Sequence, residues 1–189
     1  MAVNGKSKGA AFERKIANLL SAHFEPVTGI AQSFRRNADS GSFFGGSNQK
    51  RISTHDLDHA NFGDLICPKN FAFSIECKFY KSGPTFASIV KGKVPQWDEW
   101  IKQAKQDAHN SGKSMMLIIK YNGIDEVVFV EAEMVGLPLV LPYKNVYSYR
   151  LHDILTLAPD NFFIMDKVKT AAVPAAQGWR HWLLCLQTT

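Results

Sequence analysis

The chain has 189 residues, 46% of them hydrophobic, which is enough for one well-filled core and too few for two ordinary domains. No stretch approaches the ~20 apolar residues that span a bilayer, and the polar N-terminus lacks the apolar segment of a secretory signal, so a soluble, cytoplasmic protein is expected. Cys67, Cys77 and Cys185 are odd in number and widely spaced, which points to neither a disulfide framework nor a cysteine zinc site, while the formal charge of +5 suits a polyanionic partner such as nucleic acid.

Over residues 8–24 the apolar side chains Phe12, Ile16, Leu19, Leu20 and Phe24 recur at three- and four-residue steps, the pattern of one buried helix face. Glu13 lies on the edge of that stripe. An acid aimed inward needs a partner, and a paired arginine is the plain alternative to a bound cation. Residues 30–36 suit a strand. The Gly-, Ser- and Asn-rich stretch 37–61 reads as a long loop, and its Lys50 and Arg51, with Arg35 and Arg36 before it, favour contact with substrate.

Two strands are expected at 64–67 and 71–79, joined as a hairpin by Pro68-Lys69-Asn70. In the second, the period of two sets Phe73, Ile75, Cys77 and Phe79 on one face and Ser74, Glu76 and Lys78 on the other. Pro95 can open a helix that runs to Asn110, with Gly112 as its stop and Trp97, Ile101, Ala104 and Ala108 as its core face. The apolar run 115–119 reads as a central strand, and Asn122-Gly123 turns the chain into another at 127–130. Further short strands are expected at 139–141, 146–149 and 162–165, with a helical turn at 152–157. Residues 1–170 are read as a single domain. Residues 171–189, which carry Trp179 and Trp182, are read as an extension packing on the core or on a partner subunit.

An inward acid on a first helix, an acid opening a strand, and Glu-x-Lys on the next strand's polar face together suit one chemistry. Phosphodiester hydrolysis needs a hard divalent cation held by oxygen ligands, and a group to position or deprotonate the attacking water. Asp64 and Glu76 can hold the metal, and Lys78 projects to the side of Glu76, where it can orient water or offset charge on the phosphate. The carbonyl of Cys77, between them, is a further candidate ligand.

Gly63-Asp64 followed by Ile75-Glu76-Cys77-Lys78 resembles the signature of the PD-(D/E)XK nuclease superfamily. Within it, Lys8-Gly9-Ala10-Ala11-Phe12-Glu13-Arg14, Arg36, Ser40-Gly41 and the Asp64, Glu76, Lys78 set are most similar to archaeal-type and phage Holliday junction resolvases, over about residues 8–121. The resemblance implies an α/β, restriction-endonuclease-like core, a central mixed sheet flanked by helices. It further implies a Mg-dependent endonuclease, with Mn able to substitute, that cuts DNA junctions as a homodimer. Glu13, Asp64 and Glu76 then carry over as metal ligands and Lys78 as the catalytic lysine. Arg36 carries over as a phosphate clamp, Ser40 or Ser42 as a contact to the scissile phosphate, and Gln103 as a holder of a metal-bound water. Gly63 stands in place of the signature's proline, and the 37–61 loop is longer than in compact resolvases.

Glu-x-Lys alone is common on solvated strand faces, where it forms a weak ion pair. His55 and His59, four residues apart beside Asp56 and Asp58, offer a competing zinc reading, but no second ligand pair accompanies them. A sequence-specific restriction-type nuclease, a general repair endonuclease and a non-cleaving DNA-binding module are the remaining alternatives.

Overall fold

The structure, a computed structural model, describes residues 5–37 and 62–164. The first helix, α1 (Gly5–Thr28), ends where Gly29 takes φ +66° and donates its N–H to the Glu25 carbonyl. Phe12, Ile16, Ala17, Leu20 and Phe24 line its buried face; Leu19, expected among them, points outward and is 40% exposed. The stripe follows the 3.6-residue repeat, and Leu19 falls just off it.

Two short strands, β1 (Arg35–Arg36) and β2 (Leu65–Ile66), pair antiparallel with each other. The long strand β3 (Phe73–Tyr80) pairs in parallel with β4 (Ser114–Tyr121), and the crossover between them carries a short helix, α2 (Phe86–Val90), and the long helix α3 (Pro95–Ser111). A helical crossover is what joining parallel neighbours requires. The chain then turns at Gly123, φ +73°, into β5 (Val127–Val130), antiparallel to β4. The sheet is completed by β6 (Leu141–Tyr143) and β7 (Val146–Arg150), in the order β3-β4-β5-β7-β6, followed by α4 (Leu151–Ile154). The sheet is therefore mixed and flanked by helices, as expected.

Both faces of this sheet are covered, which explains its continuously apolar strands. Ile75, Cys77, Met116, Ile118, Val128 and Val130 pack on the α1 side. Leu117, Ile119 and Phe129 pack on the α3 side with Trp97, Trp100, Ala104 and Ala108. On the α1 side a group of rings, Phe24, Phe34, Phe71, Phe162 and Phe163, brings four separate chain segments together. Each such ring contributes about 2–3 kcal/mol of burial, which fixes β1 and the 162–163 segment against α1 although neither has a long ladder.

The structure corrects four expectations. The 64–67 and 71–79 segments do not form a ladder with each other: β2 ladders with β1 and β3 with β4, and the free edge of β3 meets the other segment through Asp64. The strand expected at 30–36 is only two residues long. The strand at 139–141 is shifted to Leu141–Tyr143, and residues 162–165 contribute a single bridge, Phe163 to Phe71, after a 3-10 turn, Pro159–Asn161. No helix of the described residues is long and apolar enough to cross a membrane. Ser40, Ser42, Lys50, Arg51, His55, His59 and the 171–189 extension lie outside the described residues.

Candidate active site

The site is built around the open edge of β3, the side not occupied by β4. Along a strand, the N–H and C=O of one residue point to the same lateral side, and those of the next to the other. Ile75 and Cys77 face the open edge, and Asp64 fills it. The Asp64 N–H donates to the Ile75 carbonyl at 2.8 Å, and the Asp64 carboxylate accepts from the Cys77 N–H at 2.8 Å. The expected partnership of the two segments is thus real, but one residue and its side chain make it. The same parity aims the Cys77 carbonyl at the side where Asp64 lies.

The approach is close enough to dictate the residue before the aspartate. Gly63 has φ +78°, and a Cβ there would stand 2.5 Å from the Ile75 carbonyl oxygen and 3.0 Å from the Ser74 hydroxyl. Proline, fixed near φ −65°, cannot occupy that position, so glycine replaces the proline of the signature for a steric reason. Asn37, 5% exposed, holds the segment from behind. Its N–H donates to the Asp64 carbonyl at 2.8 Å and its side-chain amide to the Gly63 carbonyl at 3.1 Å. Sequence reasoning gave Asn37 no role, since nothing in a loop-like stretch marks an asparagine as buried.

On the α3 face of β3, Glu76 and Lys78 project together as the alternation requires. Lys78 Nζ is 2.5 Å from Glu76 Oε1. Gln103 of α3 closes a triangle, donating from Nε2 to the same Glu76 oxygen at 2.7 Å and accepting from Lys78 Nζ at 3.2 Å. Glu13 arrives from the opposite face, on α1, where Arg36 Nε donates to its Oε2 at 2.5 Å. The arginine pairing weighed as the plain reading of Glu13 is therefore present, and it draws Arg36 into the site. Arg35 is exposed.

The electrostatics record a surplus of buried acid. Burial, then the charge of Asp64, raises Glu76 to about 8 against the pull of Lys78. Burial and Asp64 also raise Glu13, although Arg36 opposes them. Burial alone would pull the Lys78 ammonium down, but the Glu76 carboxylate outweighs it and holds Lys78 above its usual value. A further acid was missed by sequence reasoning: Asp107, one helical turn after Gln103, is raised to about 6 by burial and by Asp64. The signal that could have found it is the four-residue step from Gln103.

Oxygen donors in excess negative charge suit a hard divalent cation, whose binding would relieve the repulsion that raises Glu13 and Glu76. As the side chains stand, no three His, Cys, Asp or Glu residues among those described are close enough to enclose an ion. Arg36 engages one oxygen of Glu13, and Lys78 and Gln103 share one oxygen of Glu76, supplying positive charge and N–H donors there. The donor chemistry and charge therefore fit a cation, with those contacts in competition with it.

No curated protein and no solved structure matches the chain. A family profile does, over residues 4–154: that of the family described as phage putative PDDEXK endonuclease. The matched region takes in every described strand and α-helix, together with Glu13, Asp64, Glu76, Lys78 and Gln103, and the chain belongs to this phage endonuclease family.

Proposed function

We propose that the chain is a Mg- or Mn-dependent endonuclease that cuts branched DNA as a homodimer, with Glu13, Asp64, Glu76 and the Cys77 carbonyl as metal ligands. The observation that carries this reading is the fastening of Asp64 to β3 beside Glu76, which brings acids from β3 and from the β1–β2 unit to one strand edge. A divalent cation held there would polarise the scissile phosphate and offset its charge.

The chain's own groups divide the remaining work. Hydrolysis joins the water oxygen to phosphorus and breaks the phosphorus bond to the leaving oxygen, a water proton is lost to solvent while the leaving oxygen regains one, and negative charge builds on the phosphate oxygens on the way. The Lys78 ammonium, kept protonated beside Glu76, donates hydrogen bonds to that charge or to the incoming water. Gln103, with one acceptor and one donor already aimed into the site, keeps Lys78 and Glu76 at fixed separation. Arg36 has its Nε on Glu13, which leaves its other guanidinium N–H groups to clamp a phosphate. Selection of junctions is supported by the resemblance of residues 8–14, Arg36 and Ser40-Gly41 to resolvases. Ser40, Ser42, Lys50 and Arg51 are proposed as further DNA contacts.

The test is incubation of the protein with a four-way junction, a fork and a sequence-matched linear duplex, with Mg, Mn or EDTA, alongside sedimentation to count subunits. Paired, metal-dependent cuts confined to the branched substrates by a dimer are expected. Equal cutting of the linear duplex would remove branch selection, and junction binding without cutting would favour a non-cleaving DNA-binding module.

A further inference from the structure

The crossover between β3 and α3 carries a feature that the chemistry above does not use. Phe86 and Val90, four residues apart on α2, are 82% and 68% exposed, and α2 has no buried residue. An exposed ring and a branched aliphatic side chain at neighbouring helix positions form a small contiguous apolar patch, the kind of surface that contacts a partner. The projection is nevertheless well fixed. Thr85 caps α2 by accepting from the Ser88 N–H at 3.2 Å, and the Lys93 N–H returns to the Ser88 carbonyl at 3.0 Å. Ile89 packs into the core on the α3 side, and the Val94 N–H donates to the buried Tyr143 hydroxyl.

Charge identifies the occupant. Between Glu76 and Asp98 the chain has no acid, whereas Lys81, Lys91 and Lys93 are all exposed around the apolar pair. A second copy docking α2 against α2 would bring these lysines face to face across a two-fold axis, which like-charge repulsion disfavours. A polyanion with apolar, stackable surfaces between its charges satisfies both features, and DNA is one. The position agrees. β3 leads from Glu76 to Tyr80, roughly 13 Å at a rise of ~3.3 Å per residue, and α2 opens at Phe86, shortly beyond that end of the strand. A DNA substrate, with a rise of ~3.4 Å per base pair, extends over several such lengths from a site at Glu76.

We propose that α2 is a wedge: Phe86, backed by Val90, enters the base stack of the DNA substrate and unstacks one step, while Lys81, Lys91 and Lys93 hold the flanking phosphates. The inference rests on the proposed nuclease reading and adds a deformation of the substrate to it. Apolar wedges that part base steps kink a duplex, and a branched or pre-kinked substrate needs less of that unstacking energy. The preorganised helix spares the cost of ordering the wedge on binding.

The test uses DNA carrying the fluorescent base 2-aminopurine at successive positions, bound by the full-length protein in EDTA so that no cutting intervenes. Wild type should brighten the probe at one step. Phe86→Ala should abolish the brightening and weaken binding by roughly tenfold, the scale of one lost aromatic–base stack. Phe86→Trp should retain both. Lys91→Ala with Lys93→Ala should weaken binding and lower the salt dependence by about one counterion per lysine. Unchanged brightening and affinity in Phe86→Ala would overturn the wedge and leave the nuclease reading standing. Loss of a wild-type dimer on Phe86→Ala, with DNA affinity intact, would overturn it in favour of a subunit interface. A wild type with no affinity for DNA would overturn the wedge and the nuclease reading together.

Discussion

Asp64 straddles Glu76: its N–H bonds the carbonyl of Ile75 just before that glutamate, and its carboxylate accepts from the N–H of Cys77 just after it, both at 2.8 Å. One acid is thus aligned to another through the backbone of the residues on either side. The geometry separates two roles of Asp64, as a hydrogen-bond acceptor that holds the edge of β3 and as a charge within the site.

Substitution can separate those roles. Asp64→Asn keeps an oxygen for the Cys77 N–H and removes the charge, whereas Asp64→Ala leaves that N–H without its acceptor. Both variants should lose cleavage by about 10²-fold or more, the usual effect of deleting one electrostatic group from a reaction centre. The alanine variant should also be less stable than the asparagine variant by about 1–3 kcal/mol. Urea unfolding beside a cleavage assay checks both, and equal stability of the two would mean that the Cys77 contact contributes nothing.

Gly63→Ala should be among the most damaging single changes outside the acids. The position has φ +78°, and an added Cβ would lie 2.5 Å from the backbone oxygen of Ile75, which cannot yield without moving β3. A loss of about 2 kcal/mol or more is expected, with cleavage reduced because Asp64 shifts with its neighbour. Gly63→Pro, which restores the superfamily signature in name, should be worse still. Wild-type stability and activity in the proline variant would contradict the close approach.

The pH dependence follows from the raised carboxyls. The folded protein holds protons on Glu76 up to about 8, and on Asp107 up to about 6, that the unfolded chain releases near 4.5 and 3.8. Glu13 is shifted in the same direction. A folded state that binds more protons than the unfolded one loses stability as pH rises through this window. Glu126, shifted downward mainly by Lys15 against its burial, works in the opposite sense, but below its ordinary value of 4.5 and so outside the window. The Tm of the metal-free protein should therefore fall between pH 5 and pH 8.5. Added Mg or Mn should flatten the decline by compensating the ionised acids. A Tm rising over the same range would contradict the account of the site.

Gln103 is predicted to position rather than react. Gln103→Ala removes both its bonds to Glu76 and Lys78 and should lower activity by about 10–100-fold, the usual cost of losing a group that orients a ligand. Gln103→Glu should do more harm, since it adds an acid beside one already raised by its neighbours. Metal titration by calorimetry distinguishes weakened binding from a misplaced lysine with binding intact.

Much of this site was legible in the sequence because strand and helix periodicities are local. The period of two placed Glu76 and Lys78 together, and the helix repeat placed Glu13 inward. What the sequence did not disclose is relational. Nothing local says whether Leu65–Ile66 ladders with β3 or with Arg35–Arg36, and the answer depends on a partner some thirty residues away across the 37–61 stretch. Asp107 and Asn37 look like ordinary polar residues until α3 and the Gly63–Asp64 backbone are set against them. Gly63 read as a departure from the signature, and its positive φ shows why glycine is required there. The exposed pair on α2 left no periodic trace, since five residues carry too little pattern to be read.

The most direct test of the central claim compares wild type with Glu76→Gln and Lys78→Ala in the hydrolysis of a labelled DNA junction at saturating Mg, with folding of each variant confirmed by circular dichroism. Both variants should fold, bind the junction within a fewfold of wild type, and cleave it about 10²-fold or more slowly. Cleavage by either variant at the wild-type rate would place the chemistry away from the edge of β3 and contradict the assignment.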